Sequence, residues 1–341
     1  MKKRITIALA AALTLALAAC GGSAEETAES AAATEAEGEA GTAEAGDSDE
    51  TVNISFISVM SGGAAWGRAE EGFNAAVEEL GWNGQYLAPS TVNDQMQMLE
   101  LTETAITNGA DALVGVFMDP NVFGDVVGGA FKDGVYVAST NTVMGPEYQN
   151  FWIGTDPEGM GISQAEALVK VAGDQEVTVV YMQTNATATT QNEQFAAFTE
   201  YLKDYPNITV FGQEYCDSSE TTSAEKIANL VRANPEINAV VCADGNGCIG
   251  AANYVDENDN QEEFIVIGID DDGMILGYVK NGILDCTIAQ NFYGMGYESV
   301  MMINDLMNGE EVPFDNDSGT TAIFAENVDE YAAENAIEVI G

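Results

Sequence analysis

The chain has 341 residues, of which 46% are hydrophobic and 19% are charged. It carries 10 Lys and Arg against 56 Asp and Glu, and it has no histidine. So acidic a chain would repel a phosphate backbone, which argues against nucleic-acid binding. The missing histidine excludes Ser-His-Asp and Cys-His catalysis and His-ligated zinc. The length is sufficient for a large core divided between two domains.

The first twenty residues have the pattern of an export signal. Positions 2–4 are basic, and the apolar stretch 5–19 that follows is too short and too rich in Ala for a membrane span. The stretch ends in LAACG at 17–21, which resembles the bacterial lipobox. Residues 1–20 are therefore predicted to be a lipoprotein signal peptide with Cys20 as the lipidated residue. The protein is expected on the outer face of the cytoplasmic membrane, held there by its lipid anchor.

Residues 21–50 are predicted to be a disordered acidic tether. They contain ten acidic residues, no basic or aromatic residue, and three threonines as their only β-branched side chains. Such a segment cannot bury enough apolar surface to offset the entropy lost on ordering.

Strands and helices alternate from Thr51 onward. Hydrophobic periodicity predicts, for the first half, strands at 52–60, 85–88, 112–117 and 135–139 and helices at 69–80, 95–107 and 122–131. For the second half it predicts strands at 177–182, 209–215, 239–242, 264–269 and 287–290 and helices at 193–203, 224–234, 250–257, 274–280 and 297–308. Two such series predict an α/β fold of two doubly wound parallel-sheet lobes with a cleft between them.

Ligands of parallel sheets bind at the carboxyl ends of the strands, and these ends are polar here. Trp66 follows a glycine-rich loop after the first strand and offers an apolar face with an N–H. Carboxylates and amides follow later strands, at Asn141, Asp244, Asp270 and Gln290 among others. Convergent amides, carboxylates and an aromatic ring suit a polyol, although each Asp or Asn could instead cap a helix, and Trp66 could fill the core.

The domain resembles the type I periplasmic binding proteins, within them the ribose/galactose-type sugar-binding proteins of ABC transporters. The segments that carry the resemblance are GADALVGVFMDP, VYVASTNT, IGTDPEGMG, VVCADGNGCIGAA, FIVIGIDDDG and VKNGILDCTIAQNFYGMG, spread over residues 52–325. The resemblance implies two lobes joined by a three-strand hinge, which closes on its ligand. It implies an N-terminal lobe of 51–154 and 291–322 and a C-terminal lobe of 155–290 and 323–341, with crossings near 148–154, 290–294 and 320–325.

The resemblance also implies a ligand site. Its members are Trp66, Asn141, Gln191, Asp244, Asp270 and Gln290. Asp270 and Gln290 match positions that bind sugar hydroxyls in ribose-type relatives, whereas Thr142 and Gln191 stand where relatives carry arginines. With two candidate carboxylates and no basic partner, the site should reject acids and accept a neutral sugar. The only nearby cation in the sequence, Arg68, is expected to turn outward by helical spacing.

The predicted function is therefore a monomeric solute-binding lipoprotein that captures a small neutral sugar and delivers it to ABC permease subunits. No reaction, cofactor, metal or nucleic acid is expected. Three alternatives stay open: a sensing module for a membrane kinase or chemoreceptor, a binder of a nucleoside or amine-bearing solute, and an enzyme on the same scaffold. The signal and the missing DNA-binding headpiece exclude a lactose-repressor-type regulator.

Three further motifs are ambiguous. Asp270-x-Asp272-Gly273 echoes the DxDGT motif of haloacid dehalogenase phosphatases, but Met274 replaces the Thr. The acidic run 256–263 is compatible with calcium but lacks the glycine of an EF-hand turn. Export would permit disulfides, and the sequence leaves the pairing open; Cys242 and Cys286 are expected in the core, whereas Cys216 and Cys248 follow strand ends.

Overall fold

The computed structural model describes residues 51–341, so the predicted signal peptide, Cys20 and the tether lie outside the described residues. The strands are β1 (Asn53–Ile57), β2 (Asn83–Leu87), β3 (Ala112–Gly115), β4 (Tyr136–Thr140), β5 (Phe151–Gly154), β6 (Val177–Gln183), β7 (Ile208–Tyr215), β8 (Ala239–Cys242), β9 (Ile265–Ile269), β10 (Cys286–Gln290), β11 (Asp315–Asp317) and β12 (Thr320–Phe324). The helices are α1 (Ala64–Leu80), α2 (Gln95–Thr107), α3 (Pro120–Lys132), α4 (Pro157–Ala172), α5 (Thr189–Tyr201), α6 (Glu220–Ala233), α7 (Gly245–Asn258), α8 (Gly273–Lys280), α9 (Phe292–Met307) and α10 (Val328–Glu334).

The strands form two six-stranded sheets, one in each lobe. The first sheet has the order β11-β5-β4-β3-β1-β2, and all of its pairs are parallel. The second has the order β12-β10-β9-β8-β6-β7, in which only the pair β10 and β12 is antiparallel. The predicted fold class of two doubly wound parallel-sheet lobes is therefore confirmed, with one antiparallel edge strand added.

Helix ends follow local chemistry. Gly81 ends α1 in the left-handed conformation, with φ 67°, as its position after the last apolar residue predicts. Asp119 caps α3 by accepting a hydrogen bond from Asn121 N at 2.8 Å, and Pro120 occupies the first turn. Asp156 and Pro157 begin α4 in the same way.

Within residues 51–341 the chain crosses between the sheets three times. The crossings are the short segments 155–156, 291 and 318–319, each of which joins an element of one lobe to an element of the other. Hydrogen bonds hold them together: Asp156 N donates to Oδ1 of Asp317, the residue before the last crossing, and Asn291 Nδ2 donates to Ser318 O, both at 3.0 Å. The last crossing precedes the expected segment because β12 already begins at Thr320.

The predicted lobe limits after residues 154 and 290 fall at strand ends, but the limit after residue 322 falls inside β12. The reason is that Thr320–Phe324 pairs along its whole length with β10 of the second sheet. Residues 320–322 thus belong to the second sheet.

Close helix packing ties α9 to the first lobe. A Cβ added at Gly72 of α1 would lie 2.1 Å from Tyr293 O, and one added at Gly296 of α9 would lie 2.0 Å from Ala69 O. Only glycine permits this approach of two helix backbones. As a consequence, α9 returns to the first lobe directly after β10 and brings Phe292 against Trp66.

Candidate functional site

A cavity lies between the lobes at the carboxyl ends of β9 and β10. It has a volume of about 340 Å³, and the first lobe contributes Met60, Gly63 and Trp66, while the second contributes Asp270 and Gln290. Gly62 and Gly63 adopt φ of 70° and 78°, which a residue with a side chain adopts only at a cost in strain. The loop after β1 can therefore approach a ligand with its backbone.

Trp66 serves both the core and this cavity, which we call the Asp270 cavity. Its side chain is only 8% exposed and packs edge-to-face on Phe292, with ring centroids 5.2 Å apart. Both rings border the cavity. The two interpretations of Trp66 drawn from the sequence are thus compatible, because a ring at the edge of a core also walls the cavity next to it.

The structure brings the predicted pair Asp270 and Gln290 together. Gln290 Nε2 donates to Asp270 Oδ1 at 3.0 Å, which fixes the amide with its nitrogen toward the carboxylate. Asp270 adopts a φ of 70°, and its backbone is held by hydrogen bonds to Ile288 O and from Thr287 Oγ1. This conformation turns the carboxylate toward the start of α7, where a Cβ on Gly245 would lie 3.0 Å from Asp270 Oδ2.

The electrostatic surroundings of Asp270 are unfavourable to its charge. The pKa of the carboxyl is raised to about 6, mainly by burial and in smaller part by Asp271, Asp244 and Asp272, while the hydrogen bond from Gln290 opposes the shift. A hydroxyl donor from a ligand would stabilise the ionised form at neutral pH. The site therefore favours a ligand that donates hydrogen bonds.

Asp271 has an entirely different environment. Its carboxylate forms a bidentate ion pair with Arg68, whose two terminal nitrogens lie 2.6 Å from its two oxygens. Tyr331 of α10 donates to the same carboxylate and accepts a hydrogen bond from Arg68. Both charged side chains are almost fully buried, with 7% and 5% exposed. Burial alone would lower the pKa of Arg68, but Asp271 and Tyr331 raise it above its ordinary value.

The expectation that Arg68 turns outward is therefore wrong. Helical spacing places Arg68 on the face of α1 that the first lobe leaves uncovered. That face is covered by the second lobe, through the loop after β9 and through α10. Periodicity within one helix carries no information about a second lobe, so it predicted solvent where the structure has a buried ion pair.

Asn141 borders a different part of the cleft. It adopts a φ of 62° at the end of β4, and its N–H donates to Ile153 O at 3.2 Å. A second cavity of about 590 Å³ lies beside it, and we call this the hinge cavity. Its walls include Thr142 and Trp152 of the first lobe, Thr155 of the hinge, Gln194 of the second lobe, and Gln290, which borders both cavities.

The remaining two predicted residues hold strand ends in place. Gln191 accepts a hydrogen bond from Thr184 N and donates to Ala243 O, both at 2.8 Å. Asp244 caps α7 through Gly247 N at 2.8 Å and accepts from Ser218 Oγ at 2.7 Å. Neither borders the Asp270 cavity or the hinge cavity. Their contact with a ligand stays a prediction.

Trp152, Thr155 and Phe292 were missed as site residues. The sequence did not predict β5 as a strand, so Trp152 and Thr155 were not recognised beside a strand end. In the structure, the pairing of β5 with β4 and β11 identifies Phe151–Gly154 as a strand, and Thr155 follows it directly. Phe292 could have been found as the aromatic residue two positions after the predicted Gln290.

The ambiguous motifs have structural explanations. Asp272 caps α8 by accepting from Met274 N and Ile275 N at 2.9 and 3.1 Å, so the phosphatase-like spacing coincides with a helix start. Residues 256–263 are the end of α7 and its following turn, and the described residues contain no cluster of three or more potential metal ligands.

Within residues 51–341, Cys216, Cys242, Cys248 and Cys286 are free and buried, and burial raises the pKa of each thiol. None of the helices in this part of the chain is both long and apolar enough to cross a membrane.

Comparison with known proteins agrees with this architecture. Residues 54–311 match the family described as "Periplasmic binding protein domain". The D-allose-binding periplasmic protein of Escherichia coli (strain K12) is 20% identical in an alignment of 259 residues that covers 73% of this chain and 83% of the relative.

Two solved structures share the fold. The arabinose-binding protein AraP from Geobacillus stearothermophilus has a TM-score of 0.76 at 20% identity, over 83% of this chain and 99% of AraP. A sugar-binding protein of a sugar ABC transporter from Bacillus halodurans has a TM-score of 0.76 at 23% identity, over 82% and 99% of the two chains. The chain thus belongs to the periplasmic binding protein domain family, and its fold is that of the type I members, as the resemblance predicted.

Proposed function

We propose that this chain is an extracytoplasmic binding protein that captures a small neutral sugar between its lobes and delivers it to an ABC importer. The observation that carries the proposal is the hydrogen-bonded pair of Asp270 and Gln290 at an interlobe cavity walled by Trp66 and Phe292. A carboxylate and an amide hold hydroxyls, and aromatic rings cover the C–H face of a sugar. The relatives named as sugar-binding proteins support the same class of ligand.

The charge of the cavity restricts the ligand. Asp270, Asp271 and Asp272 border it, and no Lys or Arg is among the described residues that do. Arg68 neutralises Asp271 from outside the cavity, so the charge that an acidic sugar would meet in this partly desolvated site is chiefly that of Asp270. The same charge would favour an amine, which makes an amino sugar or another amine-bearing solute the second candidate.

The proposal includes membrane attachment and lobe closure. Lipid on Cys20 would hold the chain at the outer face of the cytoplasmic membrane. Residues 21–50 would serve as the tether between this anchor and the two lobes. The three crossings would act as the hinge about which the lobes close on the ligand, and the permease subunits would recognise the closed form. In this role the chain binds and releases its ligand without chemical change.

The test is a thermal-unfolding screen of the purified chain against pentoses, hexoses, amino sugars, nucleosides and amino acids. A ligand present at a hundredfold excess over its Kd stabilises the folded protein by about 2.7 kcal/mol, which is a shift of several degrees. A shift from one or a few neutral sugars supports the proposal. A shift confined to amines or nucleosides would replace the ligand class, and the absence of any sugar response would contradict the proposal.

A variant then locates the site. Asp270→Ala removes charge-assisted hydrogen bonds worth about 1.5–3 kcal/mol, so affinity for the identified sugar should fall roughly tenfold or more. The matched control is Asp94→Asn, because Asp94 caps α2 and borders neither cavity. Unchanged affinity in Asp270→Ala, measured by calorimetric titration, would place the sugar elsewhere.

A further inference from the structure

Arg68, Asp271 and Tyr331, which we call the latch, join the two lobes without being part of the hinge. Apart from the three crossings, the hydrogen bonds and ion pairs that join the lobes within residues 51–341 are those of Arg68 with Asp271 and with Tyr331. Arg68 belongs to α1 of the first lobe, and its two partners belong to the second lobe. The latch is therefore the polar contact that a separation of the lobes has to break.

The latch is buried, and its polar groups are paired. Among the ion pairs of the described residues, that of Arg68 and Asp271 is the only one in which both side chains are less than a tenth exposed. A buried ion pair holds its partners firmly only when further hydrogen bonds satisfy their remaining polar atoms. The Tyr331 hydroxyl supplies such bonds on both sides, because it donates to Asp271 and accepts from Arg68 Nη1 at 3.1 Å.

The latch lies between the ligand cavity and a cavity at the surface. Asp271 borders the Asp270 cavity, whereas Arg68 borders a different cavity of about 280 Å³, which we call the outer cavity. The outer cavity lies between the start of α1 and the C-terminal residues 335–338, and Gly63 borders both cavities. Exposed residues such as Glu71 and Glu338 line the outer cavity, so it opens to solvent.

The two sides of the latch belong to the same pieces of chain as the two sides of the Asp270 cavity. Arg68 follows Trp66 by two residues on α1, and Asp271 follows Asp270 directly. Because a helix moves as a unit, a movement that takes Trp66 away from Asp270 also takes Arg68 away from Asp271. The ligand cavity therefore cannot open between these residues while the latch is formed.

We infer that the latch is a gate that controls how fast a ligand enters and leaves the Asp270 cavity. The latch holds the lobes together whether the cavity is empty or occupied, and its separation joins the Asp270 cavity to the outer cavity. Since it stabilises the empty and the occupied closed forms alike, it slows entry and exit by similar factors and has little effect on Kd. The inference rests on the proposed function, because it describes how the ligand of that cleft exchanges.

Tyr331→Phe tests the gate. The substitution removes the hydroxyl but keeps the ring and the ion pair, and Tyr331 borders neither the Asp270 cavity nor the hinge cavity. Stopped-flow tryptophan fluorescence of the purified full chain gives the association and dissociation rate constants for D-allose, arabinose, D-galactose and D-xylose in turn. For each sugar that binds, both rate constants should rise about three- to tenfold, as expected for one lost hydrogen bond. Kd should stay within about twofold of the parent value.

The matched control is Tyr278→Phe. The Tyr278 hydroxyl donates to Asn253 Oδ1 at 2.8 Å within the second lobe, so its loss should change neither rate constant. A rise of the dissociation rate constant alone, with a weaker Kd, would mean that Tyr331 supports the shape of the cavity, and it would overturn the gate. Unchanged rate constants in Tyr331→Phe would overturn it as well.

Arg68→Met tests the latch without a ligand. Small-angle X-ray scattering of the ligand-free full chain should give a larger radius of gyration for Arg68→Met than for the parent, with circular dichroism as the check that the variant is folded. Equal radii in the folded variant would show that the latch does not hold the lobes together. If none of the four sugars binds the parent, the proposed function fails for them, while the two radii still decide whether the latch exists.

If Arg68→Met does not fold, the same scattering comparison is made with Tyr331→Phe, which leaves no buried charge unpaired. A larger radius in Tyr331→Phe than in Tyr278→Phe supports the latch, and equal radii together with unchanged rate constants overturn it.

Discussion

Two neighbouring regions of the second lobe differ sharply although they are one residue apart in the chain. Asp270 lies at the interlobe cavity with Gln290 as its side-chain partner, whereas Asp271 is buried in an ion pair with Arg68 and a hydrogen bond with Tyr331. The pKa of Asp270 is raised to about 6 by burial beside other acids. The carboxylate of Asp270 is thus available to a ligand, whereas that of Asp271 is occupied by the ion pair that joins the two lobes.

Asp270 and Asp271 have different environments because their carboxylates face different helices and strands. Asp270 turns back along its own sheet because of its left-handed backbone, and it meets only uncharged and acidic groups. Asp271 points to α1 of the first lobe, which supplies the guanidinium, and to α10, which supplies the phenol. Adjacent residues of one type can therefore have opposite roles, and the partner decides which role each has. The predictions that follow test this contrast.

The largest expected effect comes from Arg68→Met. The substitution leaves Asp271 as a buried carboxylate without its cation, and removing one partner of such a pair costs about 3–5 kcal/mol. Urea unfolding of the ligand-free chain measures this loss. Lys203→Met is the control, since its ion pair with Glu200 is exposed and should contribute less than about 1 kcal/mol. A loss in Arg68→Met as small as in the control would mean that the buried pair does not stabilise the fold.

The double variant Arg68→Met with Asp271→Asn should recover part of this stability. It removes both charges, so no unpaired ion remains buried, and the free energy of unfolding should exceed that of Arg68→Met by about 1–3 kcal/mol. The same urea titration measures it. If the effects of the two substitutions on the free energy of unfolding were simply additive, the ion pair would carry no coupling energy. Asp271 would then not differ from Asp270 in stabilising the fold through a charged partner.

Asp270→Asn should change stability in the opposite direction. In the folded chain the carboxyl has a pKa of about 6, above its value near 3.8 when unfolded, so the folded state binds more protons between these pH values. Its contribution to the free energy of unfolding is therefore greatest below about pH 4 and is lost as the pH rises through 6. Asparagine cannot ionise, so the variant does not lose this stability as the pH rises. The ligand-free variant should be more stable than the parent by about 1–2 kcal/mol at pH 7, a figure reduced from the full shift because Asp270 is partly exposed.

Comparison of the two proteins across pH isolates this effect, because all other groups cancel in the difference. The stability gap between Asp270→Asn and the parent should be open above pH 6 and should close toward pH 4. A gap that is constant with pH would show that the charge of Asp270 is not what limits stability.

The smallest effect is expected at the third aspartate of the run. Asp272→Ala removes the cap of α8, and loss of an N-cap costs about 0.5–2 kcal/mol. Asp272→Ser retains an oxygen acceptor at this position and should lose less. Equal losses in the two variants, measured by thermal unfolding, would mean that Asp272 stabilises the fold by something other than capping.

Much of the fold could be predicted from the sequence because apolar periodicity survives in most elements. The helix at 95–107 and the strand at 239–242 have the bounds that the pattern predicted, and most other elements differ by a few residues at their ends. The misses were β5, α4, β11, β12 and α10. β11 is Asp315–Asp317, which has no apolar alternation and exists as a strand because β5 offers it an edge.

The candidate site was likewise predicted in part. Asp270 follows one predicted strand and Gln290 ends the next, which placed both at one sheet edge, and the parallel pairing of β9 and β10 brings the side chains within hydrogen-bond distance. The burial of Arg68 and the grouping of Thr142, Trp152, Thr155 and Gln194 around one cavity were not predictable in this way. Each depends on residues far apart in the chain that only the approach of the lobes brings together.

The sequence by itself thus determined the alternation of elements, the two lobes and the polar strand ends, because these follow from local periodicity and from the geometry of parallel sheets. The tertiary structure alone decided which aspartate faces the cleft, which one pairs with Arg68, and which residues border the hinge cavity. The physical reason is that charge pairing and burial depend on the distance between side chains in space, and a guanidinium 203 positions away in the chain determines the environment of Asp271 as strongly as any neighbour does.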